Sequence, residues 1–396
     1  MENKLPKDWQ IKKLNEVSKI IMGQSPPSDT YNENAKGMPF FQGKAEFTDL
    51  YPVVKKYCSK PTKIAEPLDI LLSVRAPVGT TNIANQQCCI GRGLAAIRFE
   101  NYKYGFYFLR SIQHELDSKG TGTTFRAISG ETIRETLIPF PNPKTQQAIV
   151  SKIEELFSEL DKGIEDLKSA QQQLKTYRQS VLKWAFEGKL TNENVKEGEL
   201  PKGWEIKTLG EVCFTTSGGT PSRRNLNYYN GVIPWVKSGE LNKGIIYNTE
   251  EKITEEAIKN SSAKKFPKGT LLIALYGATI GKLAFLGVDA ATNQAICGIY
   301  ENKNISSYYL YYFLAFNKSK LVEQGIGGAQ PNISQTILKN LLIPIAQLEE
   351  QHRIVQEIES RLSVADKMEE SIAQSLQQAE ALRQSILKKA FSGELV

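Results

Sequence analysis

Side chains that commonly carry catalysis or hold metals are scarce in this 396-residue chain. There are two histidines, His114 and His352, and five cysteines, Cys58, Cys88, Cys89, Cys213 and Cys297, with no CxxC pair and no HExxH among them. A closed zinc centre, metalloprotease chemistry and a disulfide framework are therefore unsupported, and the odd, scattered cysteines read as reduced thiols of a cytosolic protein. Gly277-Ala-Thr-Ile-Gly-Lys282 imitates a phosphate loop, but has three residues between its glycines instead of four and Leu283 where Ser or Thr should follow. Gly325-Ile-Gly-Gly328 is not a dinucleotide fingerprint, and Ser25-Pro-Pro-Ser28 lacks the amide and the aromatic of an adenine-methylation motif. Glu187-Gly-Lys189 matches a nuclease fragment only until its counterpart, Ser392-Gly-Glu394, removes it.

What remains is chemistry of recognition. Gln42, Lys44, Arg75, Asn82, Arg92 and Arg126 in the first half, and Lys237, Tyr276, Asn293, Gln294 and Gln330-Pro-Asn332 in the second, sit beside glycines or at the ends of apolar runs. Arg, Lys, Asn and Gln are the side chains that read guanine and adenine edges, and glycine-flanked loops bring backbone close to phosphate. Taken singly, each reads equally as solvated surface. Their arrangement in pairs of unlike residues, Arg92 against Gln294 and Gln42 against Lys237, is what suggests two readers of different base sequences.

That pairing comes from an internal duplication. Leu5-Pro-Lys-Asp-Trp-Gln-Ile-Lys-Lys-Leu-Asn-Glu-Val17 recurs as Leu200-Pro-Lys-Gly-Trp-Glu-Ile-Lys-Thr-Leu-Gly-Glu-Val212, nine of thirteen positions identical at an offset of 195. Arg178-Gln-Ser-Val-Leu-Lys-Trp-Ala-Phe-Glu-Gly-Lys-Leu190 recurs as Arg383-Gln-Ser-Ile-Leu-Lys-Lys-Ala-Phe-Ser-Gly-Glu-Leu395 at an offset of 205. The offset drifts only across the middle of each half and is constant afterwards, which suits a variable globular part followed by a segment of critical length.

That last segment has heptad periodicity. Ile149, Ile153, Leu156, Leu160, Gly163, Leu167, Ala170, Leu174, Tyr177, Val181 and Trp184 form one seam. Ile354, Ile358, Arg361, Ala365, Met368, Ile372, Ser375, Ala379, Leu382, Ile386 and Lys389 form its counterpart. A helix of about 40 residues spans about 60 Å, too long for an ordinary hairpin inside one globule, so the two stripes are expected to cover each other as a coiled coil.

The globular parts mix β-rich runs, Ile70–Val74, Leu94–Phe99 and Thr270–Leu275, with one amphipathic helix each, Tyr102–Asp117 and Ser306–Leu321, joined by a polar connector from Thr191 to Glu199. The class is α+β with a coiled coil, divided as residues 1–143, 144–190, 191–345 and 346–396. Those segments carry net charges of +5, +1, +4 and −3, so the two globular parts account for the whole excess of +7. Basic readers on a rod that is nearly neutral suit a bivalent nucleic-acid binder. The longest apolar run, Leu271–Ile280, is too short for a membrane span and reads as a buried strand; the charged Met1–Lys4 does not read as a secretory leader.

The Leu-Pro-x-x-Trp start, the Gly-x-[Ser/Thr]-Pro turn, the Leu-Leu strand leading to Val/Ile-Gly, the Ile-Ser…Leu-Ile-Pro exit and the Arg-Gln-Ser-x-Leu-Lys-x-Ala-Phe-x-Gly-x-Leu helix end occur twice in fixed order. This arrangement resembles the specificity subunit of a type I restriction-modification system. The resemblance implies two similar mixed α/β target-recognition domains separated by two long helices that form an antiparallel coiled coil with pseudo-two-fold symmetry. Each domain would read one half of a bipartite, asymmetric double-stranded DNA site, and the helices would set the spacer. Of the polar residues singled out above, Gln42, Lys44, Arg75, Arg92, Lys237, Tyr276, Asn293 and Gln294 are the ones expected to bind DNA. The implied partners are two adenine-methyltransferase subunits and the nuclease-translocase restriction subunits. S-adenosylmethionine, ATP and Mg would be bound by those partners, with no cofactor, metal or catalysis in this cytoplasmic chain. Val396 corresponds to Thr191, where a new globular domain is about to begin, so the arrangement is expected to be circular. The rival classes are a methyltransferase or nuclease with a coiled-coil dimerisation arm, and a scaffold that binds protein only.

Overall fold

A computed structural model describes residues 5–122, 126–192, 194–242, 244–325 and 332–396. The chain divides into two compact units, residues 1–168 with 373–396, and residues 169–372. Each unit therefore contains one globular domain and a stretch of each long helix.

The domain of the first unit is built on a four-stranded antiparallel sheet in the order Ser18–Met22, Leu94–Phe99, Ile70–Ser73, Thr81–Ile83. Ile70–Ser73 is buried along its whole length, so the apolar run has no polar alternation to show. Successive side chains serve two different cores. Ile70, Leu72, Ala95 and Ile97 face the helices, whereas Leu71, Leu94 and Ala96 face a second sheet with Phe41, Cys88 and Ile90. That second sheet runs Tyr31–Asn32, Tyr57–Cys58, Met38–Phe41, Cys88–Ile90, Ile64–Ala65. The second unit repeats the plan. Leu271, Ile273, Cys297 and Ile299 face its helices, and Leu272, Ala274 and Ile296 face its other sheet with Val236, Phe266 and Ala290. All five cysteines are buried free thiols, and burial raises Cys88 to about 12.

A small two-stranded sheet closes each domain, Gln10–Lys13 with Leu137–Phe140 and Glu205–Thr208 with Leu342–Ile345. Repeated tethers fasten it. The Tyr104 hydroxyl donates to the Pro139 carbonyl at 2.7 Å, and the Tyr309 hydroxyl donates to that of Pro344 at 2.7 Å. Gln146 and Gln351, both buried, donate to the carbonyls of Pro141 and Ala346.

The long helices, Pro143–Phe186 and Leu348–Ser392, have 44 and 45 residues, about 65 Å each. Asn142 starts the first, its Oδ1 accepting from the Thr145 N–H, with Pro143 in the first turn, where its missing N–H costs nothing. Gly188 and Gly393 end them with φ of 77° and 79°. A Cβ on Gly188 would lie 2.2 Å from Pro201, and one on Gly393 would lie 2.5 Å from Pro6. Both glycines are thus fixed by a left-handed cap and by the Leu-Pro-x-x-Trp segment lying against them.

The helices pack antiparallel within each unit. In the first, Arg383 pairs with Asp161 and lies 5.0 Å over the Phe157 ring, and Ile386, Leu387, Ala390 and Phe391 share a core with Ile149, Ile153 and Phe157. In the second, the equivalent Arg178 pairs with Asp366 at 2.6 Å and Glu369 at 2.9 Å, and Val181, Ala185 and Phe186 share a core with Ile354 and Ile358.

Three sequence expectations change. The seam does not hold at Trp184, Met368 and Leu382, which are exposed; near the helix ends the stripe moves to Val181/Leu182, Ala185/Phe186, Ile386/Leu387 and Ala390/Phe391. These paired columns cover the adjoining domain as well as the other helix, a wider stripe than a strict heptad provides. Each amphipathic helix is two helices, Tyr102–Ser111 with Gln113–Ser118 and Ser307–Phe316 with Lys318–Glu323, broken at Ile112 and Asn317. The apolar run from Leu271 forms a strand only to Ala274, because Gly277 takes φ 62° and begins a 3-10 turn.

Candidate nucleic-acid interface

Five loops of the first domain are held together by backbone hydrogen bonds. Gly23 and Gln24 donate to Leu94 and Ile90, Gly91 to Phe41, Val74 to Gly93, and Ile128 to Val74. Arg75 and Ala127 form an isolated bridge. The second domain makes the same bonds at the duplicated positions: Gly218 and Gly219 to Ile296 and Thr292, Asn293 to Val236, Leu275 to Ala295, Ile333 to Leu275, with the Tyr276–Asn332 bridge. Such bonds are made by main chain alone, so the frame survives any exchange of exposed side chains upon it.

Glycine is required inside the frame. A Cβ at Gly93 would meet the Gln42 carbonyl at 2.2 Å, and one at Gly218 would meet the Thr292 carbonyl at 2.3 Å. The close approach brings Gln42, Arg75 and Arg92 to one edge of the first domain, all three exposed. It likewise gathers Lys237, Tyr276, Asn293 and Gln294 in the second, with Tyr276 and Gln294 exposed and the other two half-buried.

The two sets are chemically unlike. Arg75 and Arg92 have no ion pair among the described residues, and the Arg92 N–H donates to Ser25 Oγ at 3.2 Å. Lys237 is committed to Glu250 at 2.7 Å and Glu251 at 3.2 Å, and its pKa is raised by those carboxylates. Glu251 also holds Arg223, whose guanidinium lies over Tyr229 and Trp235 at 4.5 and 5.2 Å. Gln294 is bonded to the Thr220 hydroxyl, while the buried Asn293 Oδ1 has no donor among the described residues.

Lys44 lies apart from the first cluster. It begins a 3-10 turn and lines a groove of about 1120 Å³ with Thr48, Tyr107, Arg110, Asp161 and Arg383. Arg110 there donates to the Asp49 carbonyl and lies 4.4 Å over the Phe106 ring; burial pulls its pKa below the ordinary range.

Asn82 is no reader. It is fully buried, its Oδ1 accepts from the Thr48 N–H, and its amide donates to the carbonyls of Thr48 and Thr81, so it holds the Thr48 loop from within. Gln330 and Pro331 lie outside the described residues, as do Met1–Lys4 and most of Gly325–Gly328; Asn332 is exposed. Ser25, Thr220 and Arg223 were not singled out by sequence. The repeated Gly-x-[Ser/Thr]-Pro turn marked their neighbourhood, but only the fold puts it against Arg92 and Gln294.

Two copies of one mixed α/β domain, each carrying unlike polar tips on an unchanged loop frame and packed on paired long helices, define a duplicated recognition protein. The family model of the type I restriction modification DNA specificity domain matches residues 6–168 and again 201–379, and the chain belongs to that family. The type I restriction enzyme MjaIX specificity subunit of Methanocaldococcus jannaschii is 26% identical over 421 residues, covering 99% of this chain and 94% of that protein. The EcoBI specificity subunit of Escherichia coli is 26% identical over 425 residues, 98% of this chain and 86% of that protein. The putative MjaX specificity subunit of M. jannaschii is 38% identical over 192 residues, 47% of this chain and 44% of that protein. In fold, the chain resembles one solved in a study of complex assembly and conformational transition of the type I R-M system, with TM-score 0.75 at 22% identity over 99% of this chain and 100% of that one. It also resembles the HsdS subunit from Thermoanaerobacter tengcongensis, with TM-score 0.66 at 23% identity over 99% of this chain and 98% of that one. These relatives are specificity subunits, and neither the enzyme nor the scaffold alternative is favoured by them.

Proposed function

We propose that each globular domain reads one half of a bipartite, asymmetric double-stranded DNA site through its loop cluster. Gln42, Arg75 and Arg92 serve one half, and Lys237, Tyr276, Asn293 and Gln294 the other. Lys44, set away from the cluster, contacts the DNA backbone. Segments 144–190 and 346–396 act as the spacer between readers 1–143 and 191–345, and they dock two adenine-methyltransferase subunits, with restriction subunits joining that assembly. S-adenosylmethionine, ATP and Mg belong to those partners, and the complex works in the cytoplasm.

The observation that carries this reading is the doubled backbone frame with exchanged tips. A scaffold repeating itself would have no need to vary Arg92 to Gln294 while keeping every main-chain bond beneath them. Arg offers a bidentate fork to guanine and Gln one to adenine, so the exchange changes what is read. Selection from a randomised duplex library, with the methyltransferase subunit present, tests it. A bipartite site with a fixed gap is expected; a protein-only scaffold enriches no sequence. Inserting four residues near Gln172 and near Gln377 together should lengthen the preferred gap, and an unchanged gap would remove the spacer role.

A further inference from the structure

The duplication also distinguishes surfaces that bind unlike things from surfaces that bind the same thing twice. Single exposed apolar residues are ordinary on a protein surface and need no partner. Among the exposed large apolar side chains of the described residues, however, only two are the same residue in both copies. Ile11 and Ile206 are 59% and 50% exposed, and Leu137 and Leu342 are 58% and 61% exposed.

These residues meet on the small closing sheets. In the first, Ile11 lies opposite Pro139 and Leu137 opposite Lys13, so all four side chains share one face of the ladder. In the second, Ile206 lies opposite Pro344 and Leu342 opposite Thr208, again on one face. The opposite faces carry the fully buried Ile138 and Ile343. Core packing therefore explains Ile138, Ile343 and the buried Pro344, and leaves the exposed Ile11, Leu137, Ile206 and Leu342 unexplained.

We propose that the outer faces of these two sheets are equivalent docking surfaces that act together with the long helices, each taking one copy of the same protein partner, which is the methyltransferase subunit. This rests on the reading above for the partner's identity. Repetition argues for two identical occupants, since a patch held unchanged in both copies, where the readers have diverged, meets the same surface twice. The local charge argues against DNA. On these faces Lys13 is paired with Glu135 and its counterpart in the second sheet is the uncharged Thr208, while the Lys207–Glu205 pair lies on the other face, which leaves each outer face an apolar centre without net charge. An exposed aliphatic pair is the kind of centre around which protein interfaces exclude water.

The test is the number of methyltransferase subunits bound per full chain, counted by native mass spectrometry. The natural sequence is expected to take two, Ile11→Lys with Leu137→Lys one, and the fourfold variant adding Ile206→Lys with Leu342→Lys none. Ile11→Ala with Leu137→Ala, a milder change that adds no charge, should weaken one of the two bindings at least tenfold. Two subunits retained by a folded fourfold variant would overturn the proposal, as would loss of both copies from the first pair alone. Self-association of the free chain that these substitutions abolish, with two subunits still bound, would assign the patches to a second copy of this chain instead. A natural chain that takes no methyltransferase subunit would refute the partner named above and this docking with it.

Discussion

The first and second domains place unlike side chains on one shared backbone frame. At one point of the shared sheet, the first domain buries the Asp69 carboxylate to 1% exposure and holds it with Arg98 at 2.7 and 2.8 Å. The second has Thr270 and Tyr300 at the equivalent positions, with Thr270 bonded to the Pro267 carbonyl and Tyr300 against Phe214 and Phe266. An ion pair and an aromatic cluster occupy the same place on the same backbone. The frame is thus independent of the side chains that decorate it, and a recognition surface built on it can change without refolding.

That independence has limits that can be measured. Arg98→Met should have the largest effect, because it leaves a buried carboxylate with little besides the Glu66 N–H, at a cost of about 3 kcal/mol. Hydrogen exchange of residues 70–99 should quicken by roughly a hundredfold while residues 271–299 stay unchanged. Equal acceleration of both would mean that the domains are not separate stability units.

Gly188→Ala and Gly393→Ala come next. Each places a side chain in a left-handed cap against a proline, and each should cost about 1–3 kcal/mol in thermal unfolding. Similar losses would show that the end of the chain closes on Pro6 as Gly188 closes on Pro201; a silent Gly393→Ala would separate the two ends. The smallest effect belongs to a circular permutant with residue 396 joined to residue 1 and reopened near Glu197. It should bind DNA within about threefold of the parent, since roughly 0.6 kcal/mol is the scale of a changed loop closure. A permutant that folds and loses site-specific binding would break the equivalence of the two units.

Much of this was legible in the sequence because duplication supplies its own alignment. The repeated Leu-Pro-x-x-Trp and Ala-Phe-x-Gly segments fixed the helix ends, and the drifting offset marked the variable domains. Strand runs such as Ile70–Ser73 were visible, but not the assignment of alternate residues to two cores, since both faces are apolar. Asn82 looked like a reader because an amide beside an apolar run is ambiguous until its partners are known. Lys44 stood two residues from Gln42 and was grouped with it, yet the turn after Phe41 sends it to a different groove. The heptad count misplaced Trp184, Met368 and Leu382 because it assumed one stripe, where the helices also cover their domains. Ile11 and Leu137 stand in repeated motifs, but their shared exposed face is not visible in the sequence, since distant segments must pair before they form one.

In this protein an unchanged frame carries exchangeable readers. The direct test is to place the second domain's tips on the first, as Gln42→Lys with Arg92→Gln, and repeat the library selection with the methyltransferase subunit present. One half of the selected site is expected to change, by about 1–3 kcal/mol per exchanged contact, while the other half and the gap between them stay as they were. A change spread over both halves, or no change in either, would contradict it.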